Sequence, residues 1–199
     1  MCFPHKQWVR EWQRYHNKTH NNVKCKEKYH VDKIEIPLSY IYDDVASHRC
    51  VVCSTLRTDA LLVNNWSSYH ICVDGRLIRF GCRNYMNDYR YPQGRCDSMV
   101  FDGKDMWFVE FKMNTTSVLD DQMWDDLKDG MGQLRDFIYN LRCKMAKKRT
   151  PLHKYFKVGH QHCTVCMKTY PRMNPSRQNY LEHFRIETGI KLLQQTIIP

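Results

Sequence analysis

Apolar residues recur at spacings of three and four from Met123 through Leu127, Met131, Leu134, Ile138 and Leu141 to Met145. That stripe predicts one long amphipathic helix over residues 120–147. The charges at its ends agree with the helix dipole. Asp120, Asp121, Asp125 and Asp126 suit the positive N-terminal end, Lys144, Lys147, Lys148 and Arg149 suit the C-terminal end, and Pro151 supports termination. Strand-like patterns surround the helix. Ile34-Glu35-Ile36 alternates, and residues 34–80 read mainly as short strands and turns. Ile71 to Phe80 is the best strand among them and the expected first strand of the core.

Two apolar segments, Met99-Val100-Phe101 and Met106-Trp107-Phe108-Val109, flank a turn signal at Asp102-Gly103 and predict a β-hairpin. Its charges are the informative part, because Asp97, Glu110 and Lys112 stand where strands usually carry hydrophobes. Side chains alternate faces, and cross-strand partners share one. A Gly103-Lys104 loop places Asp97 directly opposite Glu110. An Asp102-Gly103 loop pairs Asp97 with Phe108 and makes Glu110 its diagonal neighbour. Either register gathers Asp97, Glu110 and Lys112 on one face, with Trp107, Val109 and Phe111 on the other. Facing carboxylates repel unless a proton or cation joins them, and two oxygen ligands suit a hard divalent metal, Mg²⁺ or Mn²⁺. Lys112 could then orient or activate a water or stabilise developing charge. The bland reading of the same residues is a surface hairpin with a solvated Glu110–Lys112 ion pair.

Asp97…Glu110-x-Lys112 on a strand–turn–strand followed by a helix resembles the PD-(D/E)XK nuclease superfamily, the restriction-endonuclease-like fold. The resemblance covers roughly residues 71 to 197. It extends through Val73-Asp74-Gly75, Arg95-Cys96-Asp97, Phe108-Val109-Glu110-Phe111-Lys112 and Gly132-Gln133-Leu134, which look like small uncharacterised bacterial members. It implies that Asp97 and Glu110 hold the catalytic metal with the Phe111 carbonyl as a further ligand, that Lys112 serves the attacking water, and that Gln133 matches a glutamine of the following helix. Cys96 stands where the motif has proline, and no upstream helical glutamate is evident. A boundary glutamine such as Gln133 also has an ordinary structural reading. Gly130 and Gly132 disfavour a helix by about 1 kcal/mol each, which points to close packing where Gln133 approaches the hairpin. Asp74 reads as a turn residue before Gly75, with a third metal-site acid as the other reading.

After Pro151, Tyr155 to Val165 reads as a fourth strand, followed by a basic loop with Lys168, Arg172 and Arg177. Ser176 can cap a helix carrying Tyr180, Leu181 and Phe184 that Gly189 ends, and Ile190 to Ile198 reads as a final strand. The expected fold is α/β, a mixed sheet with helices on its faces. A basic, aromatic N-terminal extension over 1–33 precedes a nuclease-like domain over 34–199.

At 199 residues and 42% hydrophobic, the chain can bury one core. No apolar run approaches the ~18 residues of a membrane span. Met1-Cys2-Phe3-Pro4-His5-Lys6 does not open a signal peptide. The expectation is a cytoplasmic protein with no membrane partner and with its ten cysteines mostly reduced. A net charge of +10 favours polyanions. Arg83, Tyr85, Arg90 and Arg95, with Tyr89 and Tyr91, lie in a loop leading into Asp97. They read either as contacts to nucleic acid, DNA or RNA, or as a solvated hairpin tip. Trp8, Trp12, Tyr15 and Tyr29, interleaved with cations, read either as base-stacking groups or as a helix docked on its own domain.

Cys50-x-x-Cys53 and Cys163-x-x-Cys166, the latter preceded by His160 and His162, raise zinc or an iron–sulfur cluster. Residues three apart in a strand point to opposite faces, which favours buried or incidental thiols. The leading expectation is a metal-dependent nuclease hydrolysing phosphodiester bonds. A catalytically inactive nucleic-acid-binding module of the same fold and a zinc-stabilised interaction protein are the alternatives. A homodimer or a larger protein assembly stays open.

Overall fold

Two β-sheets share the apolar residues of the chain, and one long helix covers the outer face of the larger. A computed structural model describes Trp8 and residues 31–47, 49–64, 67–73, 96–114, 118–147 and 151–199. The strands are β1 (Val31–Lys33), β2 (Ser39–Asp44), β3 (Arg49–Cys53), β4 (Leu61–Val63), β5 (Tyr69–Cys72), β6 (Ser98–Phe101), β7 (Met106–Phe111), β8 (Gln161–Cys166), β9 (Leu192–Leu193) and β10 (Ile197–Ile198). The helices are α1 (Asp120–Lys147) and α2 (Pro175–Thr188). A six-stranded sheet runs β1-β5-β6-β7-β8-β9, and a four-stranded sheet runs β10-β4-β2-β3. The fold is thus α/β with mixed sheets flanked by helices. Strands β5, β6 and β7 are antiparallel neighbours, whereas β7 and β8 are parallel. A parallel pair needs a long crossover, and α1 supplies it.

Parity divides the hairpin between two apolar clusters. Met99, Phe101, Met106 and Phe108 pack with Leu127, Met131, Leu134, Phe137 and Ile138 of α1. Val100, Trp107, Val109 and Phe111 pack on the other side with Ile41, Leu61, Val63 and Ile198. The single core expected from composition is therefore two clusters with the six-stranded sheet between them. A sheet covered on both faces carries near-continuous hydrophobic strands, as in β6 and β7.

The α1 stripe lies where the spacing put it: Leu127, Met131, Leu134, Ile138, Leu141 and Met145 are buried, and Met123 packs at the edge. Four strand expectations and one helix cap are corrected. The strand expected over Ile71 to Phe80 begins earlier, at Tyr69, and residues 74–80 lie outside the described set. Ile34-Glu35-Ile36 follows β1 instead of forming a strand. Residues 152–154 and 158–160 form 3-10 turns, so the strand expected from Tyr155 starts at Gln161. Ile190 to Ile198 divides into β9 and β10, which join different sheets. The cap of α2 is Asn174, whose side chain accepts from Arg177 N at 2.9 Å, while Gly189 closes the helix with φ 68° as expected.

Trp8 is buried against Tyr155 and Phe156, with ring centroids 5.5 and 6.1 Å away. The rest of residues 1–30 lies outside the described set, and β1 pairs with β5. Among the described residues, no helix is long and apolar enough to cross a membrane.

Candidate functional site

The hairpin register is Ser98 opposite Val109 and Phe101 opposite Met106. This is the Gly103-Lys104 alternative, but the pairing ends at Ser98, so Asp97 lies one residue beyond the ladder and the direct Asp97–Glu110 pair expected from it is not formed. Asp102 shapes the turn by accepting the backbone N–H groups of Lys104 at 2.6 Å and Asp105 at 2.7 Å. At the other end Asp97 N donates to Val109 O at 3.0 Å, and Val73 N donates to Asp97 O at 2.8 Å. The Asp97 side chain turns back on the ladder, its Oδ2 accepting from Phe111 N at 2.5 Å. Phe111 thus meets Asp97 through its backbone N–H, and its ring lies in the cluster facing the four-stranded sheet.

Glu110 faces the opposite way, toward α1, and is only 2% exposed. A carboxylate so deep needs partners. Its Oε1 lies 3.2 Å from Lys112 Nζ. Its Oε2 is buried and has no hydrogen-bond partner among the described residues. Burial, together with the Asp97 carboxylate, pushes Glu110 well above the usual carboxylate range, against the opposing pull of Lys112. The backbone of Gly130 makes room for this side chain: a Cβ there would lie 3.2 Å from Glu110 Cγ and 2.9 Å from Val165 Cγ1. Among the described residues Gly132 has nothing within 4 Å of its Cβ position, so the close packing is seen at Gly130 and not at Gly132.

Lys112 sits between two acids. Beyond Glu110, its Nζ donates to Asp129 Oδ2 at 2.7 Å, and Gln133 Nε2 donates to the same oxygen at 3.0 Å. Burial lowers the Lys112 pKa, but the Asp129 hydrogen bond and the charges of Glu110 and Asp129 outweigh it and raise the group overall. Asp129 is held below the usual range by its hydrogen bond to Lys112. Gln133 therefore reaches the site through Asp129. Sequence reasoning missed Asp129, whose one available signal is its place one helical turn before Gln133, beside Gly130.

Among the described residues, no group of three or more His, Cys, Asp or Glu side chains is arranged to hold a metal ion. Asp97 and Glu110 offer two carboxylates, within the usual protein contribution to Mg²⁺, which keeps waters and substrate oxygens as its other ligands. The unpartnered buried Glu110 Oε2 beside a second carboxylate fits a cation of that kind.

Among the described residues the cysteine pairs are not gathered into a competing site. Cys50-x-x-Cys53 and Cys163-x-x-Cys166 lie within continuous strands β3 and β8. Cys163 joins the helix-side cluster and Cys166 the opposite one. Burial pushes both of these thiols far up. His160 Nδ1 and His162 Nε2 instead flank Asp105 Oδ1, each at 2.9 Å. Arg83, Tyr85, Arg90, Arg95 and Asp74 lie outside the described residues. The chain matches no protein-family model, no curated protein and no solved structure.

Proposed function

We propose that Asp97, Glu110 and Lys112 form the active site of a Mg²⁺- or Mn²⁺-dependent nuclease that hydrolyses phosphodiester bonds. The observation that carries this reading is the buried Glu110 Oε2, unpartnered among the described residues and close to the Asp97 charge, with Lys112 Nζ 3.2 Å from the other Glu110 oxygen. Asp97 and Glu110 are the residues that would hold the cation. When bound, it would supply Lewis-acid stabilisation to the charge that develops as water attacks phosphorus. Lys112 is fixed by Glu110 and Asp129 as a protonated ammonium, so it orients water or offsets charge on a phosphate oxygen instead of removing a proton. Gln133 steadies Asp129. The resemblance of the sequence to the PD-(D/E)XK pattern supports the same assignment of roles.

Charge distribution supports a polyanionic substrate. Among the described residues Lys and Arg equal Asp and Glu in number, so the whole +10 excess lies in residues 1–30, 74–95 and 148–150. Residues 74–95 hold Arg76, Arg79, Arg83, Arg90 and Arg95 against Asp74 and Asp88, and they lead directly into Cys96 and Asp97. Clustered cations of this kind contact phosphates without reading sequence.

A second reading, nucleic-acid binding without catalysis, draws on the Asp97 side chain being engaged by Phe111 N and on Glu110 being paired with Lys112. One assay decides between them. The purified chain is incubated with labelled single- and double-stranded DNA and RNA under Mg²⁺, Mn²⁺ or chelator. Cleavage that chelator and Glu110→Gln both abolish supports the nuclease. Binding with no cleavage under either metal supports the binding module.

A further inference from the structure

Cys50 on β3 and Cys72 on β5 belong to different sheets but meet behind Asp97. Cys50 N donates to Cys72 Sγ at 3.2 Å, which brings the Cys72 sulfur against the Cys50 backbone. Cys50 Sγ also donates to the Asp97 carbonyl at 3.6 Å, and the same oxygen accepts Val73 N–H at 2.8 Å. Val73 directly follows Cys72. Both cysteines thus connect to the backbone of one candidate metal ligand. Cys50 is buried and Cys72 is half-buried, so a small oxidant reaches Cys72 first. Cys50 shares its burial with Cys96, Cys163 and Cys166, so the half-buried Cys72 is the point at which the oxidant enters.

We propose that Cys50 and Cys72 are a site of reversible oxidative modification, closed to a disulfide by hydrogen peroxide, that alters how the backbone of Asp97 is held. The Cys72 sulfur attacks one peroxide oxygen, the O–O bond breaks, and the departing hydroxide takes the thiol proton to leave as water. The product is a sulfenic acid. The Cys50 sulfur then attacks that sulfur, the S–OH bond breaks, and hydroxide leaves with the Cys50 proton as a second water. Two thiols lose two electrons and two protons, and one peroxide becomes two waters. The disulfide removes the S–H donor facing the Asp97 carbonyl and ties β3 of one sheet to β5 of the other. The inference rests on the proposed metal site only for what this change would regulate.

The test uses the full chain treated with hydrogen peroxide, alkylated and mapped by mass spectrometry, beside backbone NMR. The expected result is a linked peptide pair carrying Cys50 and Cys72, lost on reduction with dithiothreitol and absent from Cys50→Ser and Cys72→Ser. The amide of Ser98, which follows the Asp97 carbonyl, should shift on oxidation of the parent and stay in place in Cys72→Ser. Free Cys50 and Cys72 in a sample whose Cys143 is oxidised would overturn the inference, as would a linked pair with an unmoved Ser98 amide. Failure of the reduced chain to cleave nucleic acid overturns the proposed function and leaves this result standing. A cleaving chain without the link overturns the inference alone.

Discussion

Gly130 lies against Glu110 so closely that a methyl group on Gly130 would stand 3.2 Å from Glu110 Cγ, with Val165 Cγ1 closer still at 2.9 Å. The helix can approach the sheet at this point because one side chain is missing, and the buried carboxylate occupies the space left.

Gly130→Ala and Gly132→Ala should therefore differ in sign. Alanine gains about 1 kcal/mol of helix propensity at either position. At Gly132 nothing among the described residues opposes that gain, and urea denaturation should show a stabilised protein. At Gly130 overpacking costs about 1–3 kcal/mol, because Val165 is a β-branched residue inside a strand and cannot swing away cheaply. The expected net result is destabilisation on the order of 1 kcal/mol, together with a weaker response to Mg²⁺. Equal effects at the two glycines would contradict the packing described.

Glu110 makes stability depend on pH in a defined direction. Its folded-state pKa is raised by burial and by Asp97, so the folded chain binds the proton more tightly than the unfolded one does. The associated stability is present below the unfolded value of about 4.3 and is lost as pH rises through the folded value. Glu110→Gln should thus be more stable than the parent at neutral pH without metal, with the difference vanishing toward pH 4. Thermal melts across that range measure it. Adding Mg²⁺ should reverse the order, since a ligand at 100 times its Kd adds about 2.7 kcal/mol to the parent and nothing to Glu110→Gln or Asp97→Ala.

The hairpin was legible because its turn signal and strand alternation are local, but its register was not: two loops were open, and only the pairing of Ser98 with Val109 selects the Gly103-Lys104 one. The α1 stripe was legible because a period sustained from Met123 to Met145 admits one element type. Where chain order and sheet order part, the sequence pattern could not follow. Leu192–Leu193 pairs with β8 and Ile197–Ile198 with β4, a division decided by distant partners. Asn174 caps α2 in place of Ser176 because Pro175, with its fixed φ and missing N–H, suits the first helical position and puts the cap before it. Asp129 resembles Asp125 and Asp126 in sequence, and only the approach of Lys112 from the hairpin sets it apart.

Neutralising Arg83, Arg90 and Arg95 together tests the polyanion reading without touching the carboxylates. Each cation that neutralises a duplex DNA phosphate contributes about 0.9 to the slope of log affinity against log salt. Removing three such cations should flatten the slope by about 2.7 on that basis and weaken binding across unrelated sequences. Fluorescence anisotropy titrations over a salt series give the value. An unchanged slope would return these arginines to a solvated surface.

Lys112→Ala separates catalysis from metal binding. Asp97 and Glu110 hold the cation in the proposed site, while Lys112 contributes a positive charge fixed between Glu110 Oε1 and Asp129 Oδ2. Removing it should leave Mg²⁺-dependent thermal stabilisation in place, because both carboxylates remain and their mutual repulsion grows. Cleavage should fall on the order of 10²-fold or more, the usual effect of removing a positioned charge-stabilising group. Asp129→Asn should fall between parent and Lys112→Ala, since Glu110 still anchors the ammonium after its stronger acceptor is gone. If Lys112→Ala cleaves like the parent, the ammonium serves only to neutralise Glu110, and the water and the developing charge must be handled by groups outside this cluster.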